Sequence, residues 1–146
     1  MERPIHQILQ EDPQQALFQG SLSGLALCVY ENQRPPQGLA GALDWYFGGL
    51  LSKKLQEGFI TGRSGECVYF PITKNRSLYH LLLIGAGVFC RTALRQEIPQ
   101  ESLKNLVQNL SSLKLKNMGI SKLDFGDLSL EFCNQHLKEV PLCITP

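Results

Sequence analysis

LALCVYENQRPPQGLAGALDWYFGGLLSKKL, residues 25–55, contains the change of period on which the fold turns. Its first six residues are apolar without alternation and sit between Gly24 and a polar run, the pattern of a strand buried on both faces. Segment 34–38 cannot continue a ladder, because Pro35 and Pro36 have no N–H to donate and Gly38 favours a turn. Beyond it Leu39, Leu43, Phe47, Leu50 and Leu51 recur at helical spacing, with Gly58 as a stop, so the spacing predicts one helix packed on the sheet. Gly48 and Gly49 lie inside that helix at a cost of about 1 kcal/mol each relative to alanine. A close approach by another backbone would compensate.

Outward from this unit the pattern repeats. After the polar turn 61–65 come strand-like runs at 67–72 and 78–84, joined by Lys74, Asn75 and Arg76, a spacing that suits a hairpin. The second run leaves the sheet through Gly85-Ala86-Gly87. Leu103, Leu106, Val107, Leu110 and Leu113 then give a 3.6-residue period, with Pro99 near its start and Gly119 past its end. A strand over 120–125, a short helix over 128–137 and a terminal strand over 140–144 complete the reading. Strands alternating with helices imply an α/β fold, with a mainly parallel or mixed sheet covered on both faces.

A length of 146 residues suits a single domain, and 43% hydrophobic against 18% charged residues supplies its core. Fourteen basic and 13 acidic side chains leave a formal charge of +1, which argues against a phosphate-backbone partner. Lysines 53, 54, 114, 116 and 122 read as solvated helix faces. The longest apolar run, at 81–84, is far short of the roughly 20 residues of a membrane helix. Polar residues break any secretory core at the N-terminus. The expected location is the cytoplasm. Five cysteines with no C-x-x-C pair read as free thiols rather than a disulfide framework or zinc knuckle.

The span G-L-A-G-A-L-D-W-Y-F-G-G-L-L-S-K-K-L, residues 38–55, followed by F-I-T-G-R-S-G-E, residues 59–66, resembles the N-terminal domain of the leucyl (cytosol) aminopeptidase family. Leu43-Asp44-Trp45, Gly49, Leu51, Gly62, Gly65 and Glu66 fall at the family's places, and Arg63 stands where lysine is usual. The strand ending in Gly85-Ala86-Gly87 and the helix after it extend the likeness over most of the chain. Residues 1–20 and 88–96 match poorly.

The resemblance implies a macro-domain-like, three-layer α/β/α fold. It also implies what is missing. The family hydrolyses N-terminal residues with two metal ions held by Lys, Asp and Glu on a larger C-terminal domain marked by an N-T-D-A-E-G-R-like segment, and no such segment occurs here. The expectation is therefore a non-catalytic relative without metal or cofactor, acting in assembly or recognition. Its partner would be protein: another copy of itself or an aminopeptidase catalytic domain. A further alternative is the N-terminal fragment or subunit of a metal-dependent leucyl aminopeptidase.

Residue chemistry supports no catalytic centre. Asp124 and Asp127 could form half of a two-metal site, but a polar turn with Asp127 capping the next helix explains them better. His80 reads as a hydrogen-bonded strand histidine, and Cys90 is the best thiol candidate. A glycine-rich loop can bring amides to a phosphate. The fold likeness therefore suggests a second possibility, ADP-ribose or a related nucleotide held between segments 36–42 and 85–89. Gly38, Gly41, Asp44, Gly85 and Gly87 are its candidate ligand-binding residues. The acidic and asparagine motifs with which macro domains hold adenosine and ribose are not evident. Trp45 is expected to cover the sheet edge and Asp44 to bond the preceding loop.

Overall fold

Strand β2, Gly24–Val29, is buried at every position, as its unbroken apolar run predicts. The structure, a computed structural model, describes residues 7–90, 98–125 and 142–146. In chain order the other elements are β1 (Gln7–Ile8), α1 (Pro13–Phe18), α2 (Gly38–Tyr46), α3 (Leu50–Gln56), β3 (Cys67–Lys74) and β4 (Ser77–Gly85). They are followed by α4 (Gln100–Leu113), β5 (Met118–Ser121), α5 (Lys122–Phe125) and β6 (Cys143–Thr145).

The described strands form one sheet in the order β1-β6-β5-β2-β4-β3. Every neighbouring pair is parallel except the β3–β4 hairpin, whose turn at Asn75 and Arg76 uses positive φ angles of 51° and 66°. Alternation along β2 divides the core. Leu25, Leu27 and Val29 join Leu39, Leu43, Phe47 and Leu51 on one face, while Ala26 joins Leu106, Leu110 and Ile120 on the other. Helices α2 and α3 therefore cover one face and α4 the other, giving a mixed-sheet, macro-domain-like α/β/α arrangement.

The helix expected across 39–56 is two helices. Gly48 and Gly49 adopt φ of 69° and 84°, a left-handed break. Nothing lies within 4 Å of where a Cβ would sit on either, so no backbone approach compensates and the chain instead turns. Asp44 spans the break. Its carboxylate accepts the Ser52 backbone N–H at 3.0 Å and the Ser52 hydroxyl at 2.5 Å, so it bonds the following helix rather than the preceding loop. Trp45 does not cover the sheet edge: it is 86% exposed, because the α2 period turns position 45 outward.

Helix α4 ends at Lys114 (φ 51°) rather than at Gly119. Gly119 lies within β5, where a Cβ would meet a Leu22 methyl at 2.7 Å. The strand expected over 120–125 accordingly begins at Met118 and stops at Ser121, and α5 takes its second half. The terminal strand covers Cys143–Thr145, one residue beyond the expected end at 144, and the expected positions 140–141 lie outside the described residues. The helix expected over 128–137, with Asp127, lies outside the described residues.

Candidate functional site

In open α/β sheets, ligands bind outside the carboxyl ends of parallel strands where successive connections leave in opposite directions. Here the chain leaves β2 toward β3 on one edge and leaves β5 toward β6 on the other side, so the switch point lies between β2 and β5. Their pairing is brief. It joins Gly24 to Met118 and Leu25 to Gly119, and further along the N–H of Cys28 donates at 3.0 Å to the carboxylate of Asp124 on α5. Helices α2 and α5 approach one another across this opening.

The other flank of β2 is laced shut. The Ala86 N–H donates to the Val29 carbonyl and the Glu31 N–H to the Gly87 carbonyl, both at 2.9 Å. Asn32 then binds Phe89 in both directions: its amide group donates to the Phe89 carbonyl at 2.9 Å and its carbonyl accepts the Phe89 N–H at 2.7 Å. The Tyr30 ring meets Phe89 edge-on at 5.2 Å. The crevice therefore opens toward β5 and not toward β4.

Segment 85–89 spends the amides of Gly85, Ala86, Gly87 and Phe89 inside the protein. Gly85 donates to the Glu66 carbonyl and Gly87 to the Gly62 carbonyl, each at 2.8 Å. These glycines admit the motif turn against β4. A Cβ on Gly85 would lie 1.8 Å from the Arg63 carbonyl, and one on Gly62 2.7 Å from the Glu31 nitrogen. Glu66 closes the turn by accepting the N–H groups of Thr61 and Arg63 and the Thr61 hydroxyl. Buried Ser102 joins it to the sheet, accepting from Gly65 at 2.7 Å and donating to the Gly85 carbonyl. The second part of the motif that carries the aminopeptidase resemblance, residues 59–66, thus builds this corner.

Gly38 and Gly41 sit instead at the start of α2. Gly38 opens the helix at φ 66° with open space at its Cβ position, whereas a Cβ on Gly41 would press on the Pro36 carbonyl at 2.5 Å. Arg34 fixes the approach by donating to the carbonyls of Tyr30, Gln33 and Thr61, each at 2.8 Å. No side chain caps the first turn at Gln37, so its amides keep the outward donors and partial positive charge of a helix start. Asp44, the remaining candidate, is tied to Ser52 one turn further in.

Asp124, which the sequence offers only as half of a metal pair with Asp127 or as part of a polar turn, instead accepts the Cys28 N–H beside the switch point. Burial pushes its carboxyl up to about 6, against the lowering effect of the Cys28 N–H. Burial, then the Asp124 charge, also raises the Cys28 thiol. Tyr30 is pushed up to about 12 by burial and next by Cys28 and Asp124. A thiol held protonated is a poor nucleophile. His80 accompanies the Tyr69 hydroxyl at 2.6 Å on the α4 face. Among the described residues no three His, Cys, Asp or Glu side chains gather as a metal site, and no helix is long and apolar enough to cross a membrane. The arrangement offers an anion-attracting start to α2 and, on the neighbouring α5, one half-buried acid.

Fold and crevice together define a macro-domain-like module. The structure is similar to the macrodomain of Thermus aquaticus DarG (TM-score 0.67, 13% identity, 97% of each chain) and to that of Mycobacterium tuberculosis DarG (0.67, 16%, 97% of each). It also resembles Thermosipho africanus DarTG, solved in complex with ADP-ribose (0.63, 15%, 88% of this chain and 39% of that one). A tomato leucine aminopeptidase mutant covers all of this chain with 33% of its own length, at TM-score 0.57 and 18% identity. No protein-family profile matches the chain, and no curated protein matches it by sequence.

Proposed function

We propose that this chain is a binding module for ADP-ribose or a closely related nucleoside diphosphate, taken into the crevice between β2 and β5. The observation that carries the reading is the coincidence of the switch point with the uncapped start of α2. The diphosphate lies at the first-turn amides beside Gly38 and Gly41, where the helix dipole favours negative charge. Gly85 and Gly87 shape the neighbouring loop and supply no donor. The ADP-ribose complex of the DarTG neighbour supports the ligand class. Nothing in the reading requires hydrolysis or a metal.

Calorimetric titration of ADP-ribose tests it, with Gln37→Asp as the decisive variant. A carboxylate at the N-cap satisfies the first turn from within, adding about 0.5–1 kcal/mol of stability while occupying the anion position. We expect micromolar affinity in the wild type and at least a roughly tenfold loss in a variant that melts no lower. Unchanged affinity in Gln37→Asp would move the ligand away from α2. No binding by the wild type would remove the nucleotide reading.

A second reading, assembly or recognition through protein contacts, draws on Trp45, whose ring stands 86% exposed within the motif the chain shares with aminopeptidase N-terminal domains. It predicts concentration-dependent self-association that Trp45→Ala abolishes in sedimentation velocity. A monomer at every concentration would count against the self-partner form of that reading.

A further inference from the structure

We propose that ligand binding in the β2/β5 crevice is coupled to uptake of one proton by Asp124. The inference rests on the nucleotide reading above and deepens it. Asp124 follows β5 by three residues, and its Oδ2 takes the Cys28 N–H that β5 has ceased to pair. A diphosphate drawn to the start of α2 therefore enters a crevice already holding a carboxylate, and two negative charges in a partly dry site raise one another's affinity for protons.

Among the described residues the surroundings provide no compensating cation. On β2 the Cys28 thiol and Tyr30 phenol are both pushed upward by burial and stay neutral near pH 7. Strand β5 carries no titratable side chain, and β6 contributes only Cys143, also raised by burial. On α2 the sole charged residue is Asp44, held by Ser52, and on α5 the one cation, Lys122, is exposed. Among the described residues Asp124 has no ion-pair partner.

The unliganded acid, pushed up to about 6, is mostly ionised at pH 7, and the incoming diphosphate shifts it further toward the neutral form. Protonation does not break the latch. The carbonyl oxygen of the neutral acid still accepts from Cys28, while the new O–H can donate to a phosphate oxygen or ligand hydroxyl. Above about pH 6 the affinity should therefore fall, by up to about tenfold per pH unit, as the proton must be acquired from solvent.

The test is calorimetry of ADP-ribose binding at pH 7 in buffers of widely different ionisation heat, where the slope of observed heat against buffer heat counts protons taken up. ADP-ribose does not itself titrate between pH 6 and 8. We expect a slope approaching one for the wild type, and a slope near zero with pH-independent affinity for Asp124→Asn, whose amide carbonyl still accepts the Cys28 N–H. A wild-type slope of zero, or equal slopes in the two proteins, overturns the coupling while leaving the nucleotide reading intact. Absence of binding heat at every pH in both proteins overturns the nucleotide reading and the coupling with it. Should Asp124→Asn fail to fold, the wild-type slope and its affinity between pH 6 and 8 decide the matter alone.

Discussion

Gly85→Ala should destabilise the chain by roughly 3 kcal/mol or more, enough to leave a large unfolded fraction at physiological temperature. The added methyl would sit 1.8 Å from the Arg63 carbonyl and 2.8 Å from its carbon, so backbone has to move. Movement on that side is opposed by the Glu66 carboxylate, which holds the N–H groups of Thr61 and Arg63, and by Ser102, which ties Gly65 to the Gly85 carbonyl. On the other side β4 pairs with both β2 and β3, so its end cannot recede without loosening two ladders. Gly87→Ala is the control. Its Cβ would have only Pro99 nearby, at 3.9 Å, and the cost reduces to the positive φ of 77°, about 1–2 kcal/mol. Chemical denaturation of the two variants checks the argument; a milder effect at Gly85 than at Gly87 would show that the turn yields.

That corner also shows what the sequence makes legible. The turn at 61–66 could be recognised as a motif because its glycines and Glu66 are local to one another. Its purpose could not, since the groups it packs against, Ser102 and the end of β4, are distant in the chain. Strand β2, the β3–β4 hairpin and α4 were readable because apolar periodicity reports burial of each element's own face. The break at Gly48-Gly49 was not, because the 3.6-residue period of Leu43, Phe47 and Leu51 runs through it, and only backbone angles reveal the turn.

The place of Asp124 at the switch point was hidden for a related reason, although the residue itself is legible with Asp127 as half of a metal pair. Its partner, the Cys28 N–H, lies 96 residues away, and the bond exists because β2 and β5 are neighbours that separate early. Strand order is a property of the assembled sheet. Had the order β5-β2-β4 been known, an acid three residues beyond β5 would have stood out at the switch point. The fold likeness to the DarG macrodomains, at 13% and 16% identity and a TM-score of 0.67 each, likewise rests on the course of the backbone rather than on shared side chains.

Phe47→Ala should cost roughly 3–5 kcal/mol, a large part of the 5–15 kcal/mol by which a typical domain is stable. The ring lies just past α2 with 9% of its surface exposed, within an aromatic group that no single helix could assemble. Tyr46 packs on it at 5.2 Å, Tyr79 of β4 at 5.6 Å and Phe18 of α1 at 6.4 Å, the last two joined to each other at 6.0 Å. Truncation removes the shared centre of contacts among α1, α2 and the sheet, and the neighbouring rings are too rigid to fill the space. At roughly 2–4 °C per kcal/mol for a chain of this size, the melting temperature should fall by about 10 °C. Phe47→Leu, which retains much of the volume, should recover more than half of the loss. Equal melting of Phe47→Ala and wild type would mean that the end of α2 does not rest on the sheet, and would remove the anchor that presents the helix start at the crevice.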